Sequence, residues 1–162
     1  MQSAFCAKNS ACLPVPANSV LLDTGPLAAL FNPADHAHRR ARDWFKACTR
    51  SLHTTDAVVT ELSYFLSDST QMQTGALRWL ERAKQHGHLT IHPVSDHDAL
   101  ADLLERYADL PCDYADASLI SLGNALDIRD IATLDERDFS IYRLHRNRTF
   151  KLVFTANQPA RR

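Results

Sequence analysis

The fold of this chain is decided largely by one stretch, DYADASLISLGNALDIRDIATLDERDF (Asp113–Phe139). It opens with two acids, Asp113 and Asp116, at the start of an apolar pattern with helical spacing. The strand-like segment DIATL follows, and a further acid, Asp135, comes directly after it. A helix followed by a short apolar strand is the repeating unit of a parallel sheet covered by helices.

The rest of the chain continues this alternation. The segment SVLLD is predicted to be a strand ending at Asp23, followed by a short helix with Pro26 in its first turn. Further helices are predicted for DHAHRRARDWFKACT, DAVVTELSYFLS, MQTGALRWLERAKQ and SDHDALADLLERYADL, the last opening with a capping-box pattern from Ser95 to Asp98. LHTT is predicted to be a short strand or a cap, LTIHPV and FKLVF to be strands, and the segment after DIATL to be a polar loop.

These patterns predict an α/β fold with a central parallel sheet between helices. We expect one domain, residues 20–155, because 162 residues suffice for a single sizeable core. Residues 1–19 are expected to be a loosely ordered extension, and residues 156–162 a tail.

The composition narrows the class of protein. Apolar residues make up 45% and charged residues 23% of the chain, as in ordinary soluble proteins. The net charge of −1 provides no global positive field for nucleic acid. No apolar run approaches the ~18 residues of a membrane span, and the N-terminus lacks the pattern of a signal peptide. The four cysteines form no C-x-x-C pair, so we expect free thiols in the cytoplasm.

Each acid has an ordinary structural interpretation when taken alone. Asp23 is well placed to cap a helix. Glu61 lies on an apolar helix face, where its carboxylate can reach solvent at the edge. Asp113 and Asp116 suit the first turn of a helix, although two acids on one face repel each other. Asp135 follows a strand, and loop acids are common.

The acids are harder to explain as a set. Four separate segments bring them to predicted strand ends or helix starts, and the carboxyl ends of parallel strands share one edge of the sheet. Clustered carboxylates raise each other's pKa unless a cation binds them. Oxygen ligands alone favour Mg²⁺ or Mn²⁺ over zinc. Such a metal can bind phosphate, activate water and stabilise a leaving oxygen.

Three motifs in order resemble the PIN-domain ribonucleases, in particular the VapC-type toxins of bacterial toxin–antitoxin pairs. They are LLDTGPLAALFNPADHAH (Leu21–His38), TTDAVVTELSYFL (Thr54–Leu66) and the stretch Asp113–Phe139. The resemblance implies a PIN-like α/β/α sandwich with a central parallel sheet.

The resemblance also implies an acidic centre made of Asp23, Glu61, Asp116 and Asp135, with Asp113 as a fifth metal-binding member. It implies hydrolysis of an RNA phosphodiester with Mg²⁺ or Mn²⁺ as cofactor. Asp23, Asp116 and Asp135 would hold the metal directly or through water, and Glu61 would orient a metal-bound water or a second ion. A hydroxyl residue near the last acid corresponds to Thr133.

Several partners are expected. RNA is the expected substrate, and its backbone could contact one of two arginine groups, although a solvated surface is an equally good interpretation of each. A cognate antitoxin is the expected inhibitor. A homodimer is expected because the first two helices carry more apolar side chains than one small sheet face should need. The arginines are Arg39, Arg40 and Arg42, or Arg143, Arg146 and Arg148, and the apolar residues are Leu27, Leu30, Trp44 and Phe45.

Two other functions stay open at this point. One is a PIN nuclease of RNA maturation or decay that has no antitoxin. The other is a non-catalytic nucleic-acid or protein binding module, which would be expected to have lost one or more of the acids.

Overall fold

The structure, a computed structural model, describes residues 18–154. Its strands are β1 (Ser19–Leu22), β2 (Ser51–Thr55), β3 (Leu89–His92), β4 (Asp130–Ala132), β5 (Arg143–Leu144), β6 (Arg148–Thr149) and β7 (Lys151–Leu152). Its helices are α1 (Thr24–Phe31), α2 (His38–Ala47), α3 (Asp56–Phe65), α4 (Thr70–Gln85), α5 (His97–Arg106), α6 (Tyr114–Leu126) and α7 (Glu136–Ile141).

Five strands form one parallel sheet in the order β3-β2-β1-β4-β7. The chain builds β2 and β3 outward on one side of β1 and then returns to place β4 on its other side. The strand order therefore reverses between β1 and β4, and the crevice at such a switch point is where parallel sheets bind ligands. A separate antiparallel pair is formed by β5 and β6.

The centre of the sheet is the core of the domain. Val20, Leu21 and Leu22 of β1 are fully buried, because helices cover both faces of the sheet. Leu21 lies opposite Ile131 of β4, and Leu22 lies opposite Ala132. The continuous apolar run that predicts this strand therefore reflects burial on both sides.

The helices form two groups. Helix α1 contacts α2, α3 and α4, whereas α5 contacts α6, and α6 contacts β2 and α3. Gly123 allows α6 to approach the sheet closely: a Cβ atom there would lie 3.0 Å from both Leu21 Cδ1 and the carbonyl oxygen of Ile128. The first turn of α6 is thereby held at the carboxyl edge of the sheet.

The predicted α/β fold with its central parallel sheet is confirmed, and three local predictions need correction. The cap of α5 is Asp96, whose side chain accepts from the backbone N–H of Ala99 at 3.0 Å, rather than Ser95. The segment after β4 is helical, because Asp135 caps α7. Helix α2 begins only at His38, since the side chain of Asp35 bonds to the backbone N–H of Ala37 and keeps the preceding turn non-helical.

The described residues begin close to the predicted start of the domain. Strand β1 begins at Ser19, one residue before the predicted start of the domain. The predicted extension, apart from residues 18–19, and the predicted tail lie outside the described residues. Within the described residues, no helix is long and apolar enough to cross a membrane.

Candidate active site

Asp23 lies at the carboxyl end of β1 and caps α1. Its Oδ1 accepts from the backbone N–H of Thr24 at 2.7 Å, and its Oδ2 accepts from the hydroxyl of Thr133 at 2.7 Å. Its own backbone N–H donates to the carbonyl oxygen of Ala132 in β4. The residue is 8% exposed. Asp23 can therefore cap α1 and also belong to a functional site, because a buried carboxylate whose hydrogen-bond donors are all neutral can still bind a cation.

Thr133 joins the ends of two neighbouring strands. Its hydroxyl donates to Asp23 and accepts from the backbone N–H of Asp135 at 2.8 Å. Asp135 in turn caps α7, with Oδ1 accepting from the backbone N–H of Asp138 at 3.4 Å. A single buried hydroxyl therefore sets the position of Asp23 relative to Asp135.

Glu61 reaches the same place from α3. Its Oε2 accepts a short hydrogen bond from the hydroxyl of Thr24, the residue that follows Asp23. The carboxylate is half-buried and hydrogen-bonded to the start of α1, which favours the functional interpretation over a side chain that only reaches into solvent.

The two acids of the decisive stretch occupy the start of α6. Asp113 caps the helix and accepts from the backbone N–H of Asp116 at 2.9 Å. Asp116 lies in the first turn, and its Oδ2 accepts from the hydroxyl of Tyr142 at 3.1 Å. Asp113 therefore caps the end of the helix, while the side chain of Asp116 points into the protein toward Tyr142.

The electrostatics show that these side chains act on each other. Burial raises the pKa of Asp116 to about 8, with further upward contributions from Asp23 and Asp113. Burial also raises the pKa of Glu61 to about 7, and contact with the carboxyl group of Asp113 adds to this despite the hydrogen bond from Thr24. Asp113 thus acts on carboxylates from both α3 and α6.

Asp23 and Asp135 show the same effect. Burial raises the pKa of Asp23 to about 6, although the donors Thr133 and Thr24 oppose the shift. The charges of Asp113 and Asp135 raise it further. Burial also raises the pKa of Asp135, the hydrogen bond from the backbone N–H of Asp138 opposes this shift, and the carboxyl group of Asp138 adds to it. Mutual repulsion of this kind favours either protonation or a bound cation.

The donor set suits a hard divalent cation in its chemistry. It consists of carboxylate and hydroxyl oxygens, which Mg²⁺ and Mn²⁺ prefer. Within residues 18–154, the ion pairs lie elsewhere, for example between Arg50 and Asp130. In the same residues, no three His, Cys, Asp or Glu side chains already converge as a metal site. A cation would therefore have to draw the carboxylates closer together than their present hydrogen bonds hold them.

The structure adds two residues that the sequence did not assign to the centre. Tyr142 is fully buried, and its hydroxyl contacts Asp116 from 26 positions further along the chain, a distance at which no local pattern could indicate it. Asp138, which the sequence places in a predicted loop, is buried beside Asp135. The spacing of three residues between the two acids would have been the signal if the segment had been predicted as a helix.

Within the described residues, the arginines predicted to contact RNA form no ion pair with the predicted site acids. Arg143 donates through Nη1 to the carbonyl oxygens that end α7, and Arg148 pairs with Asp127. The guanidinium of Arg40 lies 4.7 Å from the ring centre of Phe154. The others, Arg39, Arg42 and Arg146, are exposed side chains.

A sequence model of the PIN domain matches residues 20–144, which include all five predicted site acids. The chain belongs to the PIN-domain family. Ribonuclease VapC26 of Mycobacterium tuberculosis is a relative of this PIN domain, 26% identical over 124 residues that span 76% of this chain and 92% of the relative. The resemblance to VapC-type PIN-domain ribonucleases is thereby confirmed.

The fold of this PIN domain is also that of a solved structure. The crystal structure of VapC20 of Mycobacterium tuberculosis, described as a toxin that cleaves the sarcin-ricin loop, superposes with a TM-score of 0.63. The match covers 73% of this chain and 91% of VapC20, at 18% identity. At that identity the likeness concerns the fold, and it agrees with the central parallel sheet between helices.

Proposed function

We propose that this PIN domain is an endoribonuclease that hydrolyses RNA phosphodiester bonds with Mg²⁺ or Mn²⁺ as cofactor. The observation that carries the proposal is the cluster of carboxylates with raised pKa values at the switch point of the sheet. They come from β1, α3, α6 and the end of β4, and burial together with mutual repulsion accounts for the shifts. The family and the ribonuclease name of VapC26 support the choice of RNA.

The proposed roles follow from the positions of the side chains. Asp23, Asp116 and Asp135 would hold the metal, directly or through water, with Asp113 as a further ligand. The bound ion would supply a Lewis acid that lowers the pKa of water and neutralises charge on the phosphate. Glu61, held by the Thr24 hydroxyl, would orient the attacking water through its free carboxylate oxygen.

Two neutral donors keep the acids in place during the reaction. Thr133 fixes Asp23 against the backbone of Asp135, and Tyr142 fixes Asp116. Both donate hydrogen bonds to carboxylates and so favour the ionised forms needed to bind a cation. These side chains position the acids rather than touching the substrate.

The direct experiment is cleavage of total RNA by the purified chain with and without divalent cation. We expect cleavage in Mg²⁺ or Mn²⁺ that stops when EDTA is in excess and resumes when Mg²⁺ is restored. An Asp116→Asn variant purified in parallel controls for a contaminating nuclease. Cleavage that is unchanged in EDTA, or equal in the variant, contradicts the proposal.

We further propose that the chain is the toxin of a toxin–antitoxin pair and acts in the cytoplasm. A nuclease that degrades cellular RNA needs an inhibitor, and the names of VapC26 and VapC20 point the same way. The cluster of carboxylates would accept a guanidinium from the inhibitor in place of a metal. We expect an antitoxin whose C-terminal segment folds on binding and places an Arg, or less favourably a Lys, near Asp23, Glu61 and Asp116.

Co-expression with the product of a neighbouring small gene tests the antitoxin. We expect the two proteins to co-purify and the complex to lack RNA cleavage. If no adjacent gene product binds, or the complex cleaves at the full rate, RNA maturation or decay without an antitoxin takes its place. The non-catalytic binding module is disfavoured, because the chain keeps all four predicted catalytic acids.

We also propose a homodimer, but not through the apolar residues of the first two helices. Leu27 is fully buried, and Trp44 and Phe45 pack against the core, so these residues do not form a free apolar surface. Among the described residues, the most exposed aromatic side chains are instead Tyr64 and Phe65, at the end of α3. Light scattering should give twice the chain mass of 18.2 kDa. Serine at both exposed positions should halve the measured mass, and a monomer in the wild type would contradict the proposal.

A further inference from the structure

Tyr114 is a large aromatic residue that stays exposed beside the acidic centre. It is the first residue of α6, between Asp113, which caps the helix, and Asp116 in its first turn. Its exposed fraction is 44%, whereas the adjoining Ala115 is buried. The helix turn that presents two of the acids therefore also presents one aromatic ring to solvent.

A second ring supports Tyr114 from the neighbouring helix. The imidazole of His97, the first residue of α5, lies nearly parallel to the phenol ring, with 6.3 Å between ring centres and 21° between planes. The Tyr114 hydroxyl and His97 Nε2 are joined by a hydrogen bond of 3.3 Å. Both side chains are exposed. The contact fixes the orientation of the two rings, and neither ring is part of the core.

The position of this pair suits contact with a nucleic acid. A phosphodiester held at Asp113 and Asp116 would carry its adjoining nucleoside next to Tyr114. The carboxylates themselves repel phosphate, so contacts that do not depend on opposite charge would add to the RNA affinity that a bound cation supplies. Stacking of a base on an aromatic ring is such a contact, and it tolerates every base.

We propose that Tyr114 and His97 form a nucleobase platform, on which the base adjoining the scissile phosphate stacks. This inference rests on the proposed ribonuclease function and adds a substrate-positioning contact to it. A partner protein is the other possible occupant. The polar edges of both rings, and the place of Tyr114 in the turn that carries two acids, favour a nucleotide.

The experiment measures RNA affinity separately from cleavage. An Asp23→Asn background suppresses hydrolysis, and the probe is a fluorescein-labelled decaribonucleotide of randomised sequence in Mg²⁺ buffer. In that background, Tyr114→Leu should weaken binding about 5- to 150-fold, the range measured for losing one stacked base. Tyr114→Phe, which keeps the ring, should bind within about threefold of the parent, a change well below that range.

Two controls separate stacking from other causes. An abasic oligomer with the same number of phosphates should bind the parent and Tyr114→Leu equally, because it has no base to stack. Leu77→Ala removes a side chain of equal exposure, 45%, from α4 and should leave affinity for the randomised RNA unchanged. Equal melting temperatures for the parent and the variants would show that the fold is intact.

A catalytic readout completes the test. With Asp23 restored, Tyr114→Leu should raise KM for RNA by a similar factor and leave kcat within about threefold, because the ring contributes binding rather than chemistry. His97→Ala should show the same pattern with a smaller change, since Tyr114 keeps its place in α6.

The outcomes distinguish this inference from the proposed function. RNA that is cleaved with equal KM and bound with equal affinity by the wild-type and Tyr114→Leu forms overturns the platform alone. A loss of affinity that persists with the abasic oligomer also overturns it. So does a Tyr114→Leu variant that no longer co-purifies with a partner protein but binds RNA as tightly as the parent. Failure of the wild-type chain to bind or cleave any RNA overturns both proposals.

Discussion

Thr133 donates its hydroxyl proton to Asp23 Oδ2 across 2.7 Å, and this hydrogen bond joins the ends of the two strands between which the sheet reverses its order. The hydroxyl oxygen of Thr133 also accepts from the backbone N–H of Asp135. Because Thr133 is 1% exposed, water cannot substitute for its hydroxyl without a change in packing. The acidic centre therefore depends on a neutral residue that would not itself bind metal or substrate.

Thr133→Val should test this dependence. The variant has nearly the same shape but leaves a buried carboxylate without one donor, so we expect a loss of roughly 1–3 kcal/mol in stability. RNA cleavage should fall about 10- to 100-fold, as is typical when a group that orients a metal ligand is removed. Thr133→Ser keeps the hydroxyl and should retain most activity in the same assay. Equal cleavage by the valine variant and wild type would contradict the role given to Thr133.

Asp23→Asn and Asp116→Asn should each abolish RNA cleavage and leave the fold intact. Each removes one charge from a cluster that repels itself, so melting in EDTA should occur at or above the wild-type temperature. Asp127→Asn is the matched control, because Asp127 pairs with Arg148 away from the cluster and should keep full activity. If both site variants melt well below wild type in EDTA, the acids are structural and the assignment is wrong.

The metal-free chain should become less stable as pH rises. A carboxyl group whose pKa is higher in the folded than in the unfolded state binds protons more tightly when folded, so its contribution to stability is lost as pH rises through the window between the two values. For Asp23 that window extends from 3.8 to about 6, and the loss is roughly 3 kcal/mol. For Asp116 the window extends to about 8.

Denaturant unfolding in EDTA checks this sign. Burial lowers the pKa values of His53 and His92, which destabilises the fold as pH falls below 6.5, so the two effects oppose each other there. The informative quantity is therefore the stability of wild type minus that of Asp23→Asn, which should decrease from pH 4 to pH 7. Saturating Mg²⁺ should flatten the decrease, because a bound cation compensates the carboxylates. A difference that increases with pH would show that Asp23 is stabilised as an anion by something other than a metal.

Tyr142→Phe should change the pH dependence more than the maximal activity. The Tyr142 hydroxyl donates to Asp116 Oδ2 and holds down a pKa that burial has already raised to about 8. Without it, the pKa of Asp116 should rise, and Mg²⁺ must then compete with a more tightly held proton. We expect the Mg²⁺ concentration for half-maximal cleavage to increase several-fold at pH 7 and the defect to shrink at pH 9. A defect of the same size at both pH values would indicate that Tyr142 acts through packing alone.

Pattern and spacing alone determined much of this protein. The buried run of β1, the alternation of helices and strands, and the placing of Asp23 and Asp135 after strands all follow from local sequence, because burial on both faces and parallel pairing leave periodic signatures. Glu61, on an apolar helix face, and the two like charges of Asp113 and Asp116 in one turn were also visible in the pattern, and the resemblance to PIN domains assigned them to the centre. Residues 1–17 and 155–162 lie outside what the structure describes, and their interpretation stays a prediction from sequence.

Only the tertiary structure decided how these acids meet. The hydroxyls of Thr24, Thr133 and Tyr142 contact carboxylates across 37, 110 and 26 positions of the chain, and no local period encodes such contacts. The raised pKa values also depend on burial and on charges from other elements, which exist only once the strands are paired and the helices packed. Local sequence thus specifies which elements form and which residues end them, whereas the electrostatics of the centre arise from the three-dimensional packing that brings those ends together.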